Sequence, residues 1–140
     1  MKWAALIAWI VTAGGGLFLF SIWLARGGTR QQQTRGRIRP PLILNHFLLA
    51  ATGLVVWIIY VIADSDALAW VAFVILAVVA LLGFTMFGIW SRQRGAGAGS
   101  QAAVAERAPE QGFPVAVVGL HGLLAVTTVV LVLLAALDVG

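Results

Sequence analysis

Four stretches of the chain, at about 3–25, 42–63, 68–90 and 113–137, contain no Asp, Glu, Lys or Arg. Each is long enough to cross about 30 Å of hydrocarbon as a helix rising about 1.5 Å per residue. Three connections remain: an Arg-rich one at 26–41, a tight turn at Asp64, Ser65 and Asp66, and a Gly/Ala-rich one at 91–112. Of the 140 residues, 61% are hydrophobic and 10% charged, and the mean hydropathy is +1.01. A soluble domain of this length has too little interior to hide so much apolar surface, so lipid is its solvent. The expected fold is an all-α integral membrane four-helix bundle, with residues 1–140 forming a single transmembrane domain. The absence of Cys excludes a disulfide framework, thiolate metal sites, covalent c-type haem attachment and cysteine nucleophiles.

Charge sets the expected orientation. Arg26, Arg30, Arg35, Arg37 and Arg39 lie in the first connection; Arg92, Arg94 and Arg107 lie in the third, against Glu106 and Glu110. The turn between the second and third spans carries Asp64 and Asp66 instead. The positive-inside rule places both Arg-bearing connections in the cytoplasm and both termini outside, with Lys2 the one dissenting charge. The first span is too long for a signal-peptide core and its positive cluster follows it, so it is read as retained. The pI near 11.2 would suggest nucleic acid for a soluble protein. Here the excess flanks the membrane without a recognition fold, so topology and attraction to anionic lipid account for it, and no nucleic-acid partner is expected. Heavy use of Arg over Lys, with abundant Ala, Gly and Val, suits a GC-rich bacterial genome and hence a bacterial cytoplasmic membrane.

The two halves of the chain resemble each other. The run from His46 to Thr52 and the run from His121 to Thr127 both read H-x-L-L-A-x-T, and each follows proline at a helix start, Pro40 and Pro41 or Pro114. Gly16, Phe20, Ile22 and Trp23 recur at the same spacing as Gly83, Phe87, Ile89 and Trp90, both reading G-x-x-x-F-x-I-W. This pattern predicts two tandem helical hairpins inserted in the same orientation and related by a pseudo-two-fold axis along the membrane normal. On each of the first and third helices Gly, Phe and Trp share a stripe that suits close packing, with Trp as an interfacial anchor. Gly14, Gly15 and Gly16 together mark a close contact or a soft point in the first span.

His46 and His121 are the only histidines, and intramembrane ionisable residues carry function by default. They lie at a shared depth, and each heads a stripe of small residues: Ala50 and Gly53 after His46, Ala125 and Thr128 after His121. Such a stripe faces the bundle interior. Helices two and four sit diagonally when four helices follow chain order, so the two imidazoles can ligate one flat cofactor between them. Haem b fits, with His46 and His121 as iron ligands, Ala50, Gly53 and Ala125 making room, and Arg26, Arg39, Arg92 or Arg94 meeting propionates.

Two other readings of the pair compete. In one the histidines only stabilise packing, each bonding a Thr, a carbonyl or interfacial water, and the chain is a non-catalytic accessory or scaffold subunit. In the other they form a proton or ion pathway, although two His make an incomplete zinc site without an in-span carboxylate. No phosphate-cradling Gly loop ending in Lys-Ser/Thr and no HExxH is present, and the G-A-G-A-G-S run at 95–100 reads as a linker. No assignment as an enzyme follows. Homo-oligomerisation or membership of a membrane complex is compatible with each reading.

The constellation of His46 and His121 in alternate helices resembles the b-type cytochromes of respiratory membranes, and its single pair implies one haem. HFLLAATGLVVWIIYVIADSDALAW together with HGLLAVTTVVLVLLAAL resembles a group of small four-span membrane proteins of actinobacteria. That likeness implies the topology and no activity.

Overall fold

The fold is described by a computed structural model covering residues 1–30, 37–96 and 108–138. Arg35, Glu106, Arg107 and the 97–100 part of the Gly/Ala run lie outside the described residues. Four long helices account for most of the rest: α1 Lys2–Ala25, α2 Pro40–Ala63, α3 Asp66–Ala96 and α4 Val115–Ala136. Each is long and apolar enough to cross a membrane. Short 3-10 turns at Gly28–Arg30 and Pro109–Gly112 flank the loop ends.

Local chemistry explains the helix limits. Pro40 and Pro41 occupy the first turn of α2 and Pro114 is the N-cap of α4, where a missing N–H breaks no helical bond. Arg39, before a proline, is extended. Asp64 ends α2 in the left-handed conformation, φ 53°, which Asp tolerates better than bulkier residues. Its N–H still reaches the Tyr60 carbonyl, and α3 starts at Asp66, an acid placed at the positive end of the helix dipole. Past Trp90, α3 continues to Ala96 where the sequence suggested a connection. Arg92, Gln93 and Arg94 favour helix, and the backbone does not stop where the apolar run stops. Through Gly14, Gly15 and Gly16 α1 continues without a break.

The helices form a ring in chain order, α1 and α3 each flanked by α2 and α4. The widest interfaces are α2–α3 and α1–α4, whereas α1–α2 and α3–α4 share less surface. The packing units are therefore not the hairpins that the sequence repeat delimits. At one end Lys2 pairs with Asp64 at 2.5 Å; the Arg-bearing connections gather at the other.

The interior has three levels. Near the Asp64 turn, Trp9, Trp57, Tyr60, Leu76 and Val132 are buried together with small alanines. At the Arg-bearing end, Trp23, Ile38, Ile43 and Trp90 form a second buried group. Between them lies a level of small and polar residues that includes Thr12, Gly16, His46, Val79, Gly83, His121 and Thr128. Outside, large apolar side chains such as Ile62, Leu81, Phe84 and Leu123 are exposed all round, as helices in lipid require. Even outward hydroxyls are satisfied: Thr52, Thr85 and Thr127 each donate to the carbonyl four residues back.

Candidate functional site

The middle level is built from one unit used twice. His46 on α2 places Nδ1 3.0 Å from the Val79 carbonyl of α3, and His121 on α4 places Nδ1 3.0 Å from the Thr12 carbonyl of α1. A carbonyl can only accept, so Nδ1 carries the proton in both rings, and the neutral ring keeps its lone pair on Nε2. In a regular helix those carbonyls also receive the N–H of Gly83 and Gly16, four residues on.

The glycines are what let the rings reach the carbonyls. A Cβ at Gly16 would lie 3.0 Å from His121 Cε1, one at Gly83 would lie 3.2 Å from His46 Cε1, and one at Gly15 would stand 3.6 Å from His121 Nδ1. The first two are closer than side chains ordinarily approach, so a larger residue there requires the ring to shift by a few tenths of an ångström.

The two units face each other. The His46 and His121 ring centroids are 6.4 Å apart with planes at 70°. That separation suits a bare edge-to-face pair, whose centroids lie about 4.5–7 Å apart. Two rings whose Nε2 atoms both pointed at one metal ion between them would have the same separation: about 2 Å from metal to nitrogen and about 1.2 Å from nitrogen to centroid, taken twice, give about 6.4 Å. Among the described residues no group of three or more His, Cys, Asp or Glu is placed to hold a metal ion. Two neutral imidazoles by themselves leave a bare cation short of protein ligands. A hydrogen bond that fixes the second ring nitrogen is also what orients a ligating histidine.

The remaining sequence candidates divide. Ala50 and Ala125 are half-buried, one turn beyond each histidine. Gly53 packs elsewhere: a Cβ there would meet Trp9 Cζ2 at 2.9 Å and Ile75 Cγ2 at 3.1 Å, so Trp9 fills the space beside it. Thr128 lies in the interface with α1, its hydroxyl 3.0 Å from that of Thr12. The arginines also separate. The Arg26 guanidinium packs on Gly112, Arg94 lies 5.1 Å over the Trp90 ring, Arg39 is the N-cap of α2 and Arg92 is exposed.

A second polar group lies at the Arg-bearing end, next to the histidine level. Trp23 is fully buried and Trp90 nearly so, although the sequence suggested interfacial anchors. Gly28 lies directly on the Trp23 indole, and Ile38 and the 3-10 turn at Pro109–Gly112 help to close this end. Glu110 is fully buried; its Oε1 accepts the Ile38 N–H and the Gln93 side-chain amide, both at 2.9 Å. Among the described residues, Trp23 Nε1, Trp90 Nε1 and Glu110 Oε2 are buried without hydrogen-bond partners. An unmade bond of this kind costs about 1–3 kcal/mol. The repeated G-x-x-x-F-x-I-W already placed both tryptophans at one depth, but nothing in the sequence marks Glu110 as buried.

Comparison with protein families, with curated proteins and with solved structures finds no match for this chain.

Proposed function

We propose that this small multi-pass membrane protein is a single-haem b-type cytochrome or the haem-carrying anchor of a redox complex, with His46 and His121 as the axial ligands. One observation carries the reading: two imidazoles from diagonal helices face each other at 6.4 Å, each held through Nδ1 by a neighbouring helix. Bound haem would supply one-electron transfer. The chain's own contribution is to fix the tautomer and the direction of both ligands and to surround them with apolar, water-excluding helices. Ala50 and Ala125 lie beside the ligands, whereas Gly53 serves the packing of Trp9.

The repeated unit also supports reading the chain as two duplicated helical hairpins. His46 with Val79 and Gly83 matches His121 with Thr12 and Gly16, and both glycines head the G-x-x-x-F-x-I-W runs. We place the protein in a bacterial cytoplasmic membrane, with the Arg-bearing connections inside and in contact with anionic lipid. Its similarity to the small actinobacterial four-span proteins and to b-type cytochromes belongs to the same proposal.

A second reading has an observation of its own. The bonds from His46 to α3 and from His121 to α1 clasp the two widest interfaces, which is sufficient for a scaffold subunit without pigment. A dithionite-reduced minus oxidised spectrum of protein purified after expression with added haem precursor separates the two. Sharp α and β bands that His46→Ala or His121→Ala abolishes are expected. A colourless, folded wild type leaves the clasp.

A further inference from the structure

Trp23 Nε1, Trp90 Nε1 and Glu110 Oε2 are sealed at the Arg-bearing end, and among the described residues each lacks a hydrogen-bond partner. The opposite end differs, since the Trp57 indole there donates to the Lys2 carbonyl at 3.3 Å. A buried polar group without a partner disfavours the state that contains it. All three groups are satisfied once water reaches them: an indole at a membrane interface keeps its ring in apolar surroundings and its N–H wet, and a carboxylate is solvated. What keeps water away is a cover without a long helix of its own, made of Gly28 on the Trp23 indole, Ile38 and the 3-10 turn at Pro109–Gly112. One carboxylate oxygen fastens it. Glu110 Oε1 accepts the Ile38 N–H just before α2 and the Gln93 amide near the end of α3, both at 2.9 Å. Directly beneath lie Ile43 and Val118, three positions before His46 and His121.

We infer that this cover is a lid on the histidine level, poised between a closed and an open form, with Glu110 as its latch. Closing buries Trp23, Trp90 and Ile38 and makes the two bonds on Glu110 Oε1, and it leaves the two indole N–H groups and Glu110 Oε2 unpaired. Opening reverses both, so the two forms lie close in free energy, as a local opening requires. In the open form Glu110 releases Ile38 and Gln93, and water and small polar solutes pass from the Arg-bearing end to the level of His46 and His121. The inference goes beyond the haem reading and does not depend on it, because the latch and the three unpaired atoms are there whatever the imidazole pair holds.

The chain has no cysteine, so a single introduced thiol reports water access without background. Ile43 beneath the lid and Leu76 at the opposite end are buried alike, 8% and 5% exposed. The test measures how fast a charged, water-soluble methanethiosulfonate modifies Ile43→Cys and Leu76→Cys in the full-length chain in lipid nanodiscs. With Glu110 in place, Ile43→Cys should react at least tenfold faster than Leu76→Cys, through opening of the lid alone. Equal rates overturn the inference without any change at Glu110, so the test stands even if a latch variant folds poorly. Adding Glu110→Ala should speed Ile43→Cys at least tenfold further and leave Leu76→Cys unchanged, and Glu110→Gln, which keeps a carbonyl oxygen for Ile38, should restore most of the protection. Acceleration at both thiols, or at neither, overturns the latch. No haem is needed, so a colourless protein removes the haem reading and leaves this result to be judged by itself.

Discussion

At Gly16 a methyl group would sit 3.0 Å from His121 Cε1, whereas at Gly14 it would meet nothing within 4 Å. The two neighbours on one helix thus form an internal comparison. Alanine in place of an unstrained helical glycine gains up to about 1 kcal/mol, and overpacking costs about 1–3 kcal/mol. Gly14→Ala should leave stability in detergent equal or higher, while Gly16→Ala should lower it by about 1–2 kcal/mol and loosen the His121 bond to Thr12. Denaturant titrations of both variants check this; equal midpoints would mean that the ring moves aside freely. Gly83→Ala, with its closest contact at 3.2 Å, should fall between the two. The sequence made the histidines legible because intramembrane imidazoles are rare and these two share a repeated context. It did not reveal the role of the glycines, since a glycine that receives a ring on its own helix and one that lets two backbones approach look alike in sequence. Gly53 shows the reverse error: helical phase put it on the histidine face, but a tryptophan from α1 occupies that space.

Among elements, α1 and α4 carry a contact that the opposite pair lacks. Thr12 and Thr128 have two hydroxyl protons for three oxygen contacts, with the Ala8 carbonyl, with the Leu124 carbonyl and with each other. One of those contacts therefore lacks a proton. Interhelical hydroxyl bonds in membranes are worth about 0.6 kcal/mol on average. Thr128→Val should then cost less than about 1 kcal/mol, and Thr12→Val/Thr128→Val little more than either single change, as a double-mutant cycle would show. A larger penalty belongs to the 3-10 turn at Pro109–Gly112. Glu110→Ala leaves the buried Ile38 N–H without its acceptor, a cost of about 1–3 kcal/mol, whereas Glu110→Gln retains a carbonyl oxygen there. Amide exchange at Ile38 should accelerate at least tenfold in the alanine variant and far less in the glutamine one. The four spans were readable because twenty uncharged residues leave a chain in lipid no alternative to helix. The burial of Trp23 and Trp90 was not, because it depends on Gly28, Ile38 and Pro109–Gly112 folding over the helix ends. Those are long-range contacts of segments without periodic pattern, and the same tryptophans without that cover would be interfacial anchors.

For the whole molecule, charge and shape agree on two distinct ends. Lys2, Asp64 and Asp66 share one end, while Arg26, Arg39, Arg92 and Arg94 belong to the other. Lys2 pairs with Asp64 across this end, but the orientation rule counts Lys and Arg and not net charge, so Lys2 remains one dissenting charge against the arginines. With the arginines outnumbering that lysine, the rule predicts the Ser65 turn outside the cell. The chain has no cysteine, so single substitutions report location without background. Ser65→Cys at the turn and Ser91→Cys near the end of α3 are nearly isosteric changes at opposite ends. In intact spheroplasts a membrane-impermeant maleimide should label Ser65→Cys, and Ser91→Cys should be labelled only after permeabilisation. The reverse pattern would invert the protein and bring the histidines and indoles, which lie toward the Arg-bearing end, next to the outer surface. The haem reading survives either result, since the imidazole pair depends only on how the helices meet. On that reading the expected side of access differs: cytoplasmic labelling of Ser91→Cys would put the imidazole pair nearer the inner face.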